Sequence, residues 1–265
     1  MAEDFPTQKM PAVFVSHGSP MVALQQGPYQ DALAAFGRSY RPKAIVVVSA
    51  HWGTGTTIEI TGDNTHRTIH DFGGFASDLY QLTYDAPGSP TLAAKVAGLL
   101  EEAGWKSTAT HDRGLDHGAW IPLRILYPGA DIPVVALSVP LQLSPEELYR
   151  VGSTLSSLLA EGVLILGSGG IVHNLRQVHL EDRHAAVDPW AAEFDNWFAN
   201  AVKSHDNKAL FDFAKVAPYA RLAVPTFEHF APVFVVLGAG ANADVSTIFD
   251  GFEHGNISMR SFAIA

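Results

Sequence analysis

Four short apolar runs rich in β-branched residues constrain the fold most: AVFVS, AIVVVSA, VLILGSGGIV and PVFVVLG. Each is bounded by Gly, Pro or Ser, and such runs read as buried strands. A histidine stands at the boundary of each. His17 ends the first in VSHGSP, His51 ends the second in SAHW, and His173 follows the third in GGIVHN. His229 lies in PTFEHFAP, just before the fourth. In open α/β sheets, ligands collect outside the carboxyl ends of the strands. A neutral imidazole is a common metal ligand. Histidines from distant parts of the chain at such ends therefore predict one shared pocket.

Strands are expected near 11–16, 44–50, 57–61, 133–139, 163–168, 233–238 and 257–264. Amphipathic helical segments alternate with them, which argues for an α/β protein. The expected architecture is a single domain over 1–265, with α/β/α layers around a central mixed sheet and a metal site at strand ends. Residues 1–10 are expected to form a flexible N-terminal segment. Three helices carry start signals. Ser89-Pro90 opens one that Gly104 stops. Ser144 and Glu147 form a capping box for a second, with Leu148, Val151, Leu155, Leu158 and Leu159 as its stripe. Asp188-Pro189 opens a third, with Trp190, Phe194, Trp197, Phe198 and Ala201 at helical spacing. That aromatic spacing is what core packing alone requires.

At 265 residues the chain can bury a large core without staples. It has no cysteine, which excludes disulfides, iron–sulfur clusters, thiolate zinc sites and a cysteine nucleophile. The formal charge of −10, with no Lys/Arg cluster to reverse it locally, argues against nucleic acid as a partner. No apolar run approaches the roughly 18 residues of a membrane span. The opening residues lack the basic-then-apolar pattern of a signal peptide, so the cytoplasm is the expected location. Nothing in the sequence fixes an oligomeric state.

Each candidate residue has an ordinary structural alternative. A histidine at a strand end can simply bond a backbone carbonyl. The glycines of GSGGIVHN could instead form a phosphate loop, but neither GxGxxG nor GK[ST] is present. Glu228 and His229 are adjacent, and on a strand only one of them would face the pocket. A fifth histidine, His117 in LDHGAW, follows Asp116 at what reads as a helix start, where the dipole disfavours the imidazolium. His66, His111, His179, His184, His205 and His254 are expected to be solvated. The chain contains no HExxH. A set of imidazoles, with or without a carboxylate, suits Fe(II) or Zn(II) over copper electron transfer.

Seven motifs occur in order: HGSP, SAHW, IHDFGGF, YDAPGSP, DHGAW, VHNL and PTFEH. They resemble the class III (LigB-type) extradiol ring-cleavage dioxygenases, in the DOPA-dioxygenase-like branch, over about residues 10–265. The resemblance implies that His17, His51 and His229 bind the metal, with Glu228 supporting them from outside the ligand set. It implies that His173 is an acid–base residue or a fourth ligand. His117 would act in substrate binding and proton handling. His70, Asp71 and Phe72, in a loop over 65–84, would cover the pocket. Fe(II) is the implied cofactor for activity, with Zn(II) able to occupy the site in isolated protein. The implied partners are a small catechol and O2.

Two other functions share these residues. Three histidines around zinc with an open water position would make a hydrolase. A Memo-like relative would bind partners without catalysis. All five site histidines being present weighs against the latter. A carboxylate-bearing substrate would need a cation, for which Arg113, Arg124, Arg176 and Arg221 are candidates.

Overall fold

A mixed eight-stranded sheet organises the chain in the computed structural model, which describes residues 9–241 and 243–265. Its strands are β1 (Ala12–Ser16), β2 (Ala44–Thr54), β3 (Ile58–Thr61), β4 (Ser107–Thr110), β5 (Val134–Pro140), β6 (Val163–Gly169), β7 (Val245–Phe249) and β10 (Ser261–Ile264). Two shorter strands, β8 (Phe252–Glu253) and β9 (Ile257–Ser258), pair separately. The order is β4-β3-β5-β2-β6-β1-β10-β7. β5, β2, β6 and β1 run parallel at the centre. β3 is antiparallel to β5, and β10 is antiparallel to both β1 and β7.

The central strands read as continuous apolar runs because both of their faces are covered. Phe14, Val46, Val48 and Ile165 enter one core, with Val96 and Leu100 of helix Pro90–Glu102, Leu148 and Val151 of helix Pro145–Leu155, and Phe194 and Phe198 of helix Pro189–Lys203. Val13, Val15, Ile45, Val47, Leu164 and Leu166 enter the other, with Leu33 of helix Pro28–Ser39 and Trp120 and Leu123 of helix His117–Leu126. The α/β/α layering is as expected.

The expected helix starts are present. Ser89 Oγ accepts from the Leu92 amide at 3.2 Å. Ser144 and Glu147 form the reciprocal capping box. Asp188 precedes its helix but does not cap it with its side chain; one of its oxygens accepts from Asn256 Nδ2 instead.

Three expectations need correction. The run at 233–238 is not a strand but helix Ala231–Ala239, buried on every side. A helix that is apolar all round belongs inside a protein. It crosses helix Pro145–Leu155 at near backbone contact. A Cβ at Gly152 would lie 1.9 Å from Val235 O, and one at Gly238 would lie 1.8 Å from Tyr149 O. Second, the strand expected over 257–264 is broken into β9 and β10. Third, the sheet gains β4 and β7, whose residues are mostly exposed or half-buried. The flexible segment expected for 1–10 lies outside the described residues up to residue 8. At its end Met10 is buried, and its amide donates to Leu159 O at 2.9 Å.

Candidate metal centre and active site

Five histidines reach one place at the carboxyl ends of the parallel strands. His17 directly follows β1, and its amide donates to Gly169 O of β6 at 3.1 Å. His51 lies in β2, inside the stretch from Val48 to Gly53 where the pairing with β5 changes register. Such an irregularity re-aims side chains that a regular strand would alternate. His117 is the first residue of its helix, capped by Asp116, whose Oδ1 accepts from the Ala119 amide at 3.2 Å. His173 lies in the loop after β6, where its amide donates to Ala223 O. His229 sits in a turn before helix Ala231–Ala239.

Two glycines place that turn. Gly170 N donates to His229 O at 2.8 Å. A Cβ at Gly169 would lie 2.1 Å from the same oxygen. The glycines of GSGGIVHN therefore admit the His229 backbone to the end of β6. Because 225–230 is a turn, the strand rule of opposite faces does not apply to Glu228 and His229. Both face the cluster. Glu228 Oε1 lies 3.2 Å from His229 Nδ1.

The rings are close. His17 is 5.0 Å from His51, 5.4 Å from His117 and 5.4 Å from His229, centroid to centroid. His51 is 3.9 Å from His117 and 4.9 Å from His229. His173 stacks on His229 at 3.5 Å. Ligand atoms of His17, His51 and His117 lie within 4.8 Å of one another, as do those of His173, Glu228 and His229.

The hydrogen-bond network sets the tautomer of His17. The buried Ser168 hydroxyl donates to the Gly118 carbonyl. Its oxygen is left to accept from His17 Nδ1, at 2.9 Å. The lone pair of His17 is then on Nε2. For His51, Nδ1 is 3.6 Å from the Asp71 carboxylate, which favours a proton there. The two Nε2 atoms face each other at 3.1 Å. The contact is an N–H···N hydrogen bond when one Nε2 carries the ring proton, and a pair of donors for a divalent cation when neither does. A divalent ion would take both nitrogens as donors. For His229, the Glu228 contact at Nδ1 likewise leaves Nε2 free. Oxygen acceptors behind ligating imidazoles are the usual means of fixing their orientation. The residues present fit a metal.

Burial also keeps His17, His51 and His173 neutral. Burial, with its histidine neighbours, drives the His17 pKa well below the ordinary imidazole range. Burial lowers His51 to about 3, helped by His117 and His229. Burial lowers His173 to about 3, against the pull of Glu228. The hydrogen bond from His229 holds Glu228 at about 2. Burial would raise Asp71, but its bonding to His117 outweighs this and holds it at about 2.

His70, Asp71 and Phe72 form one wall. Asp71 Oδ1 accepts from the His117 amide at 2.9 Å. It also lies 3.0 Å from His117 Nδ1, without the alignment of a hydrogen bond. Phe72 meets the His117 ring edge-on at 5.6 Å. His70 Nε2 bonds Leu82 O at 3.0 Å, which ties the segment down.

Of the six histidines expected in solvent, His66 is an exception. It is buried, with Nε2 2.8 Å from Val134 O. Sequence reasoning also missed Ser168 and Asn174. Both are buried polar residues within or just after an apolar run, and that placement was their only signal.

An α/β/α sheet that gathers five histidines at its strand ends defines a fold with residues that could hold a divalent metal. Sequence comparison gives the family. Residues 11–259 match the family of the catalytic LigB subunit of aromatic ring-opening dioxygenases, and the chain belongs to it. The resemblance carried by the seven motifs is thereby borne out, and the protein is an enzyme of the extradiol ring-opening class. It is 41% identical over 255 residues to a 4,5-DOPA dioxygenase extradiol of Beta vulgaris, covering 94% of each chain. It is 39% identical over 267 residues to one of Escherichia coli K12, covering 97% of this chain and 95% of that one. The crystal structure of an uncharacterized Escherichia coli K12 protein superposes with a TM-score of 0.83 at 34% identity, covering 97% of this chain and all of that one. Among the described residues, no helix is long and apolar enough to cross a membrane.

Proposed function

We propose that this protein is a non-haem Fe(II)-dependent extradiol dioxygenase that opens a catechol ring with O2 to give a semialdehyde. DOPA or a related catechol acid is the proposed substrate. The observation that carries the reading is the pair of Nε2 atoms of His17 and His51, facing each other at 3.1 Å. Ser168 fixes the His17 tautomer so that its lone pair points into the gap.

His17, His51 and His229 would hold the ion. Fe(II), when bound, supplies a Lewis acid for the two catechol oxygens and a route for electrons to O2. Zn(II) suits the same nitrogen donors but has no redox chemistry. His173 is kept neutral by burial and so can accept the proton of a substrate hydroxyl on its ring, then return it as the ring opens. The Glu228 carboxylate beside it favours the protonated form during that interval. His117 is held at the amide by Asp71 and presents its ring to the cluster, where it orients the substrate. Phe72 packs against His117, Phe75 and Tyr80, and this apolar cover keeps water from the reacting ring.

The test is an oxygen trace on anaerobically iron-loaded protein. The reading expects O2 uptake on adding a catechol and a rise in yellow semialdehyde absorbance. No uptake with any of a broad catechol panel would reject it. Hydrolysis of esters or amides by zinc-loaded protein, without O2, would favour a hydrolase instead.

A further inference from the structure

We propose that Arg176 is the carboxylate anchor of this enzyme, selecting catechols that carry an acidic side chain; this rests on the catechol reading above. A cleft of about 220 Å³ borders the site at His173, the one histidine of the cluster that lines it, and Arg176, Thr226 and Glu228 line it too. That volume is small beside the sites of drug-sized ligands and suits the short acidic substituent of a ring held at the neighbouring histidines.

Four arginines were candidates on sequence, and their positions separate them. Arg113 is committed: its guanidinium bonds Asp116 Oδ2 at 3.2 Å and His51 O at 3.3 Å, and it lies over the Trp52 ring. Its charge compensates a buried carboxylate. Arg124 is in the last turn of helix His117–Leu126, about two turns from the histidine that begins it. Arg221 lines a different surface cleft, with Lys215 and Tyr219. Arg176 alone of the four lines the cleft that His173 enters, and among the described residues it makes no ion pair with an acidic side chain.

Its backbone is pre-set. Asn174 is buried, and its Nδ2 donates to Leu222 O at 2.8 Å while its Oδ1 accepts from the Arg176 amide at 3.0 Å. This one side chain fixes the turn from His173 to Arg176, so the acid–base residue and the cation share a wall. Glu228 puts a negative charge on the same cleft. Its carboxylate already accepts from Thr226 Oγ1 at 2.8 Å and contacts His229 Nδ1. A second carboxylate entering there needs a cation, and a guanidinium can meet it with two parallel hydrogen bonds.

The experiment is equilibrium binding of 3,4-dihydroxyphenylpropanoate and its methyl ester to the Zn(II)-loaded protein, where no turnover occurs. The two ligands share the catechol and differ in the charge. Wild type should bind the acid about ten-fold or more tightly than the ester. Arg176→Gln should remove that preference and leave ester affinity within about two-fold, and Arg176→Lys should restore part of it. Equal affinity of wild type for acid and ester, binding of neither, or a preference that survives in R176Q would overturn the proposal. Equal losses for both ligands in R176Q would also overturn it, by making the residue structural. The oxygen trace is separate. Charge selection without O2 uptake would leave the anchor standing and reject the dioxygenase reading.

Discussion

The imidazoles of His173 and His229 lie face to face, with centroids 3.5 Å apart and planes 7° from parallel. So close a stack disfavours a positive charge on His173, whose pKa burial and the His229 ring both lower. The stack joins a proposed ligand to a proposed acid–base residue. Their backbones are anchored separately, the His173 amide on Ala223 O and the His229 carbonyl on Gly170 N.

His173→Ala should therefore lower turnover by about 10²–10⁴-fold, the range of a lost general acid–base group. Catechol affinity and bound metal should stay within a few-fold of wild type. Single-turnover oxygen consumption against anaerobic binding separates these effects. Loss of metal in this variant would make His173 a required ligand instead.

Ser168 offers a second check. Its hydroxyl sits between His17 Nδ1 and the Gly118 carbonyl, so Ser168→Ala removes the acceptor that fixes the His17 tautomer and leaves Gly118 O without this donor. Metal affinity should fall about 10–100-fold, measured by competition with a chelator. Stability should fall by about 1–3 kcal/mol, the usual penalty for an unmade buried hydrogen bond. An unchanged metal affinity would show that the tautomer is set elsewhere.

Acid should unfold the metal-free protein through its histidines. His51 and His173 are lowered to about 3 by burial from an ordinary value of 6.5. Between those pH values the unfolded chain binds protons that the folded one does not, so stability falls as pH drops from about 6.5 towards about 3. At pH 5 each should account for about one proton taken up on unfolding. Calorimetry in buffers of different ionisation enthalpy should show that uptake reduced by about one in His173→Gln. An uptake equal to that of wild type would mean that His173 titrates normally in the fold.

The parts of this structure legible in the sequence were those with one physical solution. β1, β2, β5 and β6 are covered on both faces, so their apolar runs were continuous and bounded by turns. Ser144 and Ser89 announced their helices because capping is local. Helix Ala231–Ala239 was not legible as a helix. An all-apolar run of nine residues has no period, and its Val and Phe content favours a strand reading. The glycine contacts with helix Pro145–Leu155 show how closely the two helices pack, which a run of residues cannot announce. β4 and β7 were hidden because short, partly polar edge strands carry little pattern.

Within the site, the meeting of five histidines followed from their places at strand and helix ends. Their mutual geometry did not. The irregular register that aims His51, the turn that brings both Glu228 and His229 inward, and the burial of His66 all depend on contacts far away in the chain.

Anaerobic titration of the metal-free protein with Fe(II) tests the central claim most directly. One ion should bind per chain. His17→Ala, His51→Ala and His229→Ala should each abolish tight binding, whereas His117→Ala should retain it. Two ions per chain, or tight binding that survives the loss of His17 or His51, would contradict a single centre built on those facing nitrogens.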